Sequence, residues 1–235
     1  TQHKESVDGV PDACHVSGYV APQVGFEMRL PSSGWNGKFL KIGCGGFCGE
    51  LWTERGVCDP ALKRGYACIV SDMGHRGTVL DAVWAYNNLQ SEVDFAYRAT
   101  HVVTVAGKAI AERFYGRAPK RAYFVGCSNG GRQGLVSAQR FPWDFDGIIA
   151  GAPAIEFTAA HNHMHYFRLW ADALGTDAAK ILPDNAVELL HQSALKECDL
   201  DDGIKDGIIG DPTRCRFDPS ELVCTARRQS QCLTK

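Results

Sequence analysis

One serine stands in a context that would make it a nucleophile. Residues 126–130 read Gly-Cys-Ser-Asn-Gly, a G-x-S-x-G pattern centred on Ser128. An apolar run, residues 122–125, precedes the pattern and a helical stretch follows it, which is the strand–turn–helix setting of a nucleophile elbow. Small residues are needed because the turn is tight, and the exposed hydroxyl can then lose its proton to a histidine. The pattern predicts covalent catalysis at Ser128; the alternative is a serine that only caps the next helix.

An attack by this serine would create an oxyanion that needs N–H donors. Asn129 opens the predicted helix, so its backbone N–H is one of the first-turn donors that a helix leaves unpaired. A second donor is expected from a glycine-rich loop after an earlier strand, and residues 43–49, Gly-Cys-Gly-Gly-Phe-Cys-Gly, fit that requirement. A phosphate-binding loop is the alternative, but no Gly-Lys-Ser/Thr follows the glycines.

The elements that must position these residues alternate between strand and helix patterns. This alternation is typical of an α/β fold, a sheet layered with helices. The predicted strands span residues 26–30, 38–43, 66–71, 122–126 and 147–151. The predicted helices span residues 91–115 and 130–141. Beyond Pro153 the composition changes to His, Asn, Trp and a cysteine-rich end, so we predict two domains, residues 1–154 and 155–235.

Composition excludes several classes of partner. The chain of 235 residues has 25 Lys and Arg against 27 Asp and Glu, a net charge of −2. This balance argues against binding to nucleic acid or to an anionic membrane. No run approaches the roughly 18 apolar residues of a membrane span, and residues 1–13 lack the apolar core of a signal peptide.

Ten cysteines indicate the compartment in which the chain folds. A zinc site would need Cys-x₂-Cys pairs, and the sequence has none. Disulfides are therefore favoured over metal, and we expect a secreted, extracellular or periplasmic protein.

Several segments resemble one known family over essentially the whole chain. They are GCSNGGRQGLVSAQRFPWDFDGIIAGAP (126–153), WNGKFLKIGCGGFCG (35–49), PDACHVSGYVAP (11–22), SDMGH (71–75) and CDLDDGIKDGIIGDPTRC (198–215). They are similar to segments of the tannase and feruloyl esterase family. The resemblance implies an α/β-hydrolase fold with a lid inserted after the strand that ends in Gly-Ala-Pro. It also implies action on carboxylic esters of aromatic acids, with Ser128 as nucleophile and Gly46 and Asn129 as oxyanion donors.

The resemblance also implies disulfides. It pairs Cys198 with Cys215 and Cys224 with Cys232, and it pairs Cys127 with a downstream cysteine beside the catalytic histidine. Cys14 would pair with a cysteine upstream. The remaining four cysteines would form two bridges whose connectivity stays open; they are Cys44, Cys48, Cys58 and Cys68.

The family's catalytic Asp and His lie downstream of the lid, and the histidine precedes a cysteine. This sequence has no His-Cys dipeptide. We therefore expect an N-terminal part of the catalytic domain with the beginning of the lid, nearly inactive unless a downstream segment or second chain supplies Asp and His. His75, close to Asp72, is the internal candidate for a base, but its place after an early strand favours a structural role. The alternative function is a non-catalytic binding module or an inactive fragment of the same fold.

An acidic stretch after residue 198 suggests a cation site. Asp199, Asp202, Asp206 and Asp211 crowd around two Asp-Gly turns, and such oxygen-rich loops suit Ca²⁺. The loop is not an EF-hand, because Ile204 and Thr213 fall where carboxylate or amide ligands are expected. A solvated acidic loop is the alternative. The family resemblance implies a structural Ca²⁺ held by the side chains of Asp199, Asp202 and Asp206 and by the carbonyls of Ile204 and Ile208.

Other clusters carry weaker predictions. The alternating His161, His163 and His165 suit a transition metal if they lie on a strand, whereas a helical surface or a cleft lining is the alternative. Nearby aromatic residues either wall an aromatic acyl pocket or pack in a core; they are Phe157, Tyr166, Phe167 and Trp170. Arg132 is expected to anchor structure. The choice among feruloyl, galloyl and terephthaloyl esters stays open.

Overall fold

A computed structural model describes residues 2–3, 9–51, 56–157, 184–226 and 232–233. The chain forms two compact units, residues 1–157 and 158–235. Their junction lies three residues beyond the predicted domain boundary. The assignment of the second unit to a lid stays a prediction.

The first unit contains a seven-stranded mixed sheet. Its strands are β1 (Gln2–His3), β2 (Ala13–Val20), β3 (Val24–Pro31), β4 (Lys38–Ile42), β5 (Ala67–Ser71), β6 (Arg121–Cys127) and β7 (Gly147–Gly151). Their spatial order is β1-β2-β3-β5-β4-β6-β7. The pairs from β1 to β5 are antiparallel, and β5, β4, β6 and β7 run parallel. In the part of the chain that the structure describes, β7 is therefore an edge strand.

Helices connect the parallel strands. The first unit contains α1 (Asp59–Leu62), a 3₁₀ turn (Val83–Ala85), α2 (Leu89–Val93), a π-helical segment (Asp94–Arg98), α3 (Ala99–Tyr115) and α4 (Asn129–Arg140). The side chain of Asn88 caps α2 by accepting a hydrogen bond from the Ser91 N–H. Gly116, at a φ of 71°, ends α3 in the left-handed conformation that glycine favours.

Burial follows the position of each strand in the sheet. All five residues of β5 are buried, as expected for a parallel strand covered on both faces, whereas burial in β3 alternates. The core contains fully buried Phe39 of β4, Ile69 of β5 and Phe124 of β6. β6 is thus held firmly, and its carboxyl end leads directly into Ser128.

The second unit is built from short elements. It contains α5 (Asp184–Cys198) and a 3₁₀ turn (Pro219–Leu222), and Val223 bridges Leu233. The disulfides Cys198–Cys215 and Cys224–Cys232 form as predicted. No helix of the described ranges has the length and apolar character needed to cross a membrane.

The five predicted strands and both predicted helices are confirmed, with ends shifted by a few residues. β1 and β2 were not predicted from the sequence; the second half of β2 is largely exposed. The sequence analysis also missed the π-helical segment that interrupts the helix between Leu89 and Tyr115. The structure resolves the open pairings as Cys44–Cys48 and Cys58–Cys68. The predictions for residues 161–170 fall outside the described residues.

Candidate active site

Ser128 occupies a strained turn between β6 and α4. Its φ of 59° and ψ of −120° are sparsely populated by residues other than glycine. Three backbone hydrogen bonds hold the turn: the Ser128 N–H donates to the Gly151 carbonyl at 3.0 Å, and the Ser128 carbonyl accepts from Arg132 and Ala154 at 3.1 Å each. The Ser128 residue is exposed. A serine hydroxyl is thus fixed and accessible at the carboxyl end of a central strand, as a nucleophile requires.

Space requires glycine at Gly126 of the motif and at Gly131, which follows it. A Cβ atom on Gly126 would lie 2.5 Å from the carbonyl carbon and oxygen of Gly130, and one on Gly131 would lie 2.5 Å from the Gly151 oxygen. The end of β6 and the start of α4 therefore touch backbone to backbone. The G-x-S-x-G pattern reflects this contact as well as the turn itself.

The glycine-rich loop, residues 43–49, lies against the elbow. The Gly43 N–H donates to the Val125 carbonyl at 2.9 Å, which extends the pairing of β4 with β6. A Cβ atom on Gly43 would lie 2.8 Å from the Gly130 Cα. Gly46 adopts a φ of +56°, and a Cβ there would lie 2.3 Å from the Val79 carbonyl oxygen. The Cys44–Cys48 disulfide closes the loop around Gly46.

Arg132 joins the elbow to the helical segment before α3. Its Nε donates to the Asn129 Oδ1 at 2.6 Å, and its terminal nitrogens donate to the carbonyls of Phe95 and Ala96. Burial lowers the pKa of Arg132 to about 10. Its guanidinium lies 4.6 Å from the Phe95 ring centroid. These contacts agree with the predicted anchoring role.

His75 is engaged in a structural contact. Its Nε2 lies 2.7 Å from the Phe47 carbonyl, which can only accept, so Nε2 carries the proton. The ring stacks on Trp84 at 3.7 Å, and burial lowers the pKa of His75. His75 therefore holds the glycine-rich loop through the Phe47 carbonyl. This contact agrees with the structural role that the sequence favoured over that of a base.

A second His–Asp pair lies far from the elbow. His101 Nδ1 is 2.8 Å from Asp144 Oδ2, and its ring stacks on Phe141. Asp144 precedes β7, whereas Ser128 follows β6, and the two strands are parallel. The pair therefore lies at the amino end of these parallel strands, opposite the end that carries Ser128, and is no base for it.

Aromatic side chains line the region beside the glycine-rich loop. The Phe47 ring of that loop has its centroid 6.0 Å from that of Phe157 and 6.5 Å from that of Trp84, both edge to face. Trp84 in turn lies 5.0 Å from Phe95. Phe157 thus belongs to a packed aromatic cluster; the other aromatic residues weighed for a pocket lie outside the described residues.

A buried lysine escaped the sequence analysis. Lys41 of β4 is fully buried, and its Nζ donates to the Ser71 Oγ at 2.9 Å and to the Ile42 carbonyl at 3.1 Å. Burial lowers the pKa of Lys41 to about 7. Burial likewise raises the pKa of nearby Asp72 to about 6, against hydrogen bonds from the N–H groups of Gly74 and Gly25. The one available signal was a lysine inside the apolar strand Lys38–Ile42.

The family can be decided by comparison with known proteins. A family model described as tannase and feruloyl esterase matches residues 6–235. The chain belongs to this family. It is 40% identical over 228 residues to a probable feruloyl esterase B-2 of Aspergillus flavus, covering 95% of the chain and 42% of that protein. It is 36% identical over 259 residues to mono(2-hydroxyethyl) terephthalate hydrolase of Piscinibacter sakaiensis, covering 97% of the chain and 43% of that protein.

A solved structure of the family supports the fold. The crystal structure of feruloyl esterase B from Aspergillus oryzae matches with a TM-score of 0.75 and 33% identity, covering 98% of the chain and 46% of that chain. The first unit therefore has the α/β-hydrolase fold. The chain spans less than half the length of each relative.

Two cysteines stay unpaired among the described residues. Cys127, exposed beside Ser128, and buried Cys14 form no disulfide within this chain. The pairing predicted for each of them stays a prediction.

In the acidic loop, residues 198–215, Asp199 accepts from the Gly207 N–H, Asp202 from Ile204 and Gly210, and Asp206 from Ile208. Within the described ranges, no three His, Cys, Asp or Glu side chains converge as a metal-binding group.

Proposed function

We propose that this protein hydrolyses carboxylic esters through an acyl-enzyme at Ser128. The observation that carries the proposal is the exposed serine at positive φ, opposite a glycine-rich loop, in a chain of the tannase and feruloyl esterase family. Ser128 Oγ attacks the ester carbonyl, and the backbone N–H groups of Asn129 and Gly46 bind the oxyanion. The alcohol then leaves, and water hydrolyses the acyl-enzyme.

The base and the acid of the triad are proposed to come from a downstream segment or a second chain. Two described histidines support this view, because His75 donates to a carbonyl and His101 lies at the other end of the parallel strands. A serine without a base is activated poorly, so residues 1–235 alone should hydrolyse esters far more slowly than the full-length protein.

The proposed substrates are esters of aromatic acids, of feruloyl, galloyl or similar type. One relative is named a probable feruloyl esterase, one a feruloyl esterase and one a mono(2-hydroxyethyl) terephthalate hydrolase. The aromatic cluster around Phe47, which itself lies in the glycine-rich loop, supports an aromatic acyl group near the reacting carbonyl. Four disulfides support a secreted or periplasmic location.

We further propose that the acidic loop holds a structural Ca²⁺ through Asp199, Asp202 and Asp206 and the carbonyls of Ile204 and Ile208. The three carboxylates accept hydrogen bonds from backbone N–H groups of the same loop. These bonds keep the loop compact and its oxygen atoms close together, as a Ca²⁺ site requires. In the described residues the three carboxylates do not yet form one group. Binding would therefore require them to rotate inward.

Calcium titration of the full-length protein tests this site. Added Ca²⁺ should raise the melting temperature, EDTA should reverse the rise, and Asp202→Asn should abolish it. Asp201→Asn, one residue away, is the matched control. An equal response from both variants would reject the ligand assignment.

The catalytic proposal is tested by a fluorophosphonate probe together with methyl ferulate hydrolysis. The full-length protein should be labelled and active, and Ser128→Ala should abolish both properties, whereas Ser32→Ala on the surface should leave both intact. Binding of ferulate without labelling or turnover would instead indicate a non-catalytic binding module. Rapid hydrolysis by residues 1–235 alone, lost in His75→Ala, would place the base within this chain.

A further inference from the structure

Gln133 is a buried amide directly behind the nucleophile elbow. It lies in α4 with 2% of its surface exposed. Its Nε2 is 3.4 Å from the Cys44 carbonyl oxygen, 3.3 Å from the Cys44 Sγ and 3.5 Å from the Cys48 Sγ. The side-chain carboxamide of Gln133 therefore points at the disulfide that closes the glycine-rich loop.

Asn129 makes a parallel contact from the same helix face. It lies four residues earlier, so the two side chains are neighbours on one face of α4. The Asn129 Nδ2 is 3.1 Å from the Cys48 Sγ. Two buried amides thus contact one disulfide. Arg132 fixes the Asn129 amide by donating a hydrogen bond to its Oδ1.

The orientation of the Gln133 amide is set by its surroundings. A flipped amide would bring Oε1 against the Cys44 carbonyl and both sulfurs, three groups that cannot donate to it. In the observed orientation Oε1 is buried and has no hydrogen-bond partner among the described residues. The donor end of the carboxamide therefore faces the disulfide loop.

The contact ties together the two proposed oxyanion donors. Gly46 lies inside the ring closed by Cys44 and Cys48, and Asn129 opens the helix that carries Gln133. On its far side the loop is held by Val79, which accepts from the Phe47 N–H, and by His75. On the side of α4, Gln133 and Asn129 both contact the loop, and only Gln133 reaches the Cys44 carbonyl as well as the sulfurs.

We infer that Gln133 is a positioning residue of the oxyanion hole, because its buried carboxamide ties the disulfide loop that carries the Gly46 N–H to the helix that carries the Asn129 N–H. The inference rests on the proposed ester hydrolysis. Each oxyanion donor must lie about 2.7–3.1 Å from the developing charge, so a range of only about 0.4 Å is allowed. A shift of the loop against the helix therefore weakens binding of the transition state more than binding of the substrate.

The first experiment replaces the carboxamide in the full-length protein. Gln133→Met keeps a side chain of similar length and removes the donor; Gln139→Met, on the exposed face of the same helix, is the matched control. For methyl ferulate we expect kcat to fall about 10- to 100-fold with KM within about 2-fold of wild type. The affinity for a trifluoromethyl ketone analogue of the ester should fall by the same factor as kcat. The affinity for ferulate, a product without an oxyanion, should stay constant.

A second variant gives a signature that a role in folding alone would not produce. Gln133→Glu is isosteric, and burial raises the pKa of such a carboxyl. Its protonated form donates one hydrogen bond to the Cys44 carbonyl, whereas its ionised form repels it. The ratio of kcat between Gln133→Glu and wild type, measured at the same pH and well below both melting temperatures, should therefore rise as the pH falls.

The outcomes separate the two levels of the proposal. An inactive, unlabelled wild-type protein rejects ester hydrolysis itself. An active wild type with unchanged kcat in folded Gln133→Met, or equal losses of transition-state and product affinity, overturns only the role of Gln133. If Gln133→Met does not fold, the pH dependence of Gln133→Glu decides, and a flat ratio overturns the inference.

Discussion

The nucleophile elbow and the acidic loop are both tight turns rich in glycine, but different forces hold them. At the elbow, strand, helix and glycine-rich loop touch backbone to backbone, and Gly43 and Gly126 leave no room for a side chain. In the acidic loop, Gly203 and Gly207 have nothing within 4 Å of an added Cβ, and local carboxylate contacts and one disulfide shape the chain. The first region is positioned by packing with distant residues, and the second by its own cross-links. Glycine is needed for space in one region and for conformation in the other.

The largest expected effect tests this difference directly. Gly126→Ala should lower the free energy of unfolding by about 4 kcal/mol or more, because the new methyl group meets Gly130 backbone atoms at 2.5 Å. Gly203→Ala, at a φ of +93° in open space, should cost only about 1 kcal/mol. Urea denaturation of both variants measures the two costs. Equal costs would mean that the two turns do not differ in this way.

The second largest effect is expected when the disulfide of the acidic loop is removed. Cys198→Ala/Cys215→Ala opens a loop with a sequence separation of 17 and should cost about 3 kcal/mol. Limited proteolysis should then cut within residues 199–214, where wild type resists, and denaturation gives the free energy. Cys224→Ala/Cys232→Ala is the control, since it should leave residues 199–214 resistant. Protection of these residues without the first disulfide would show that their local hydrogen bonds suffice.

The third prediction concerns a buried charge on β4, the strand that leads into the glycine-rich loop. The unfolded chain keeps the Lys41 proton up to about its ordinary pKa of 10.5, whereas the folded chain releases it near 7. The unfolded state therefore binds more protons between these values, and the free energy of unfolding should rise from pH 7 toward pH 10. Lys41→Met should remove this rise and stabilise the protein at pH 6.5 by about 2 kcal/mol.

Denaturation of the lysine variant at several pH values gives the slope. Lys38→Met, on the same strand with its ammonium over the Tyr66 ring, is the control and should keep the wild-type profile. Persistence of the rise in Lys41→Met would assign it to another group. Asp72 acts in the opposite sense and in a lower window: its folded pKa of about 6 exceeds 3.8, so its contribution falls as pH rises between these values.

The smallest effect concerns backbone strain at the elbow. Ser128→Gly and Ser128→Ala both lack the nucleophile, but only glycine adopts a φ of 59° with a ψ of −120° without cost. After the greater entropy of unfolded glycine is subtracted, Ser128→Gly should be more stable than Ser128→Ala by about 1 kcal/mol. Paired denaturation curves measure the difference. An alanine variant as stable as the glycine variant would argue that the turn stores no strain.

The sequence predicted those parts of the site that depend on neighbours along the chain. The elbow at Ser128 and the glycine-rich loop were identified because a tight turn after a strand restricts residue types locally. Gln133, Lys41 and the contact of His75 with Phe47 were not predicted, since each depends on partners 28 or more residues away. The sequence shows that Gln133 follows Asn129 by four residues and shares its helix face. It does not show that this face contacts the Cys44–Cys48 disulfide.

The cysteines show the same limit. The pairings in the second unit followed from the family resemblance, whereas the other four cysteines allowed three pairings. The fold selects one, because Cys68 lies in β5 and Cys58 immediately precedes α1, while Cys44 and Cys48 lie within one loop. The elements that pack together in the fold decide such choices, and sequence spacing alone does not.

The position of β7 has a consequence for handling the protein. In the described chain this strand pairs with β6 alone, and Ile149 at its centre is 67% exposed. The free backbone groups of an edge strand with apolar side chains accept a strand from another molecule. When residues 1–235 are produced alone, self-association should begin at β7, and Ile149→Lys should raise the protein concentration at which aggregates appear in light scattering.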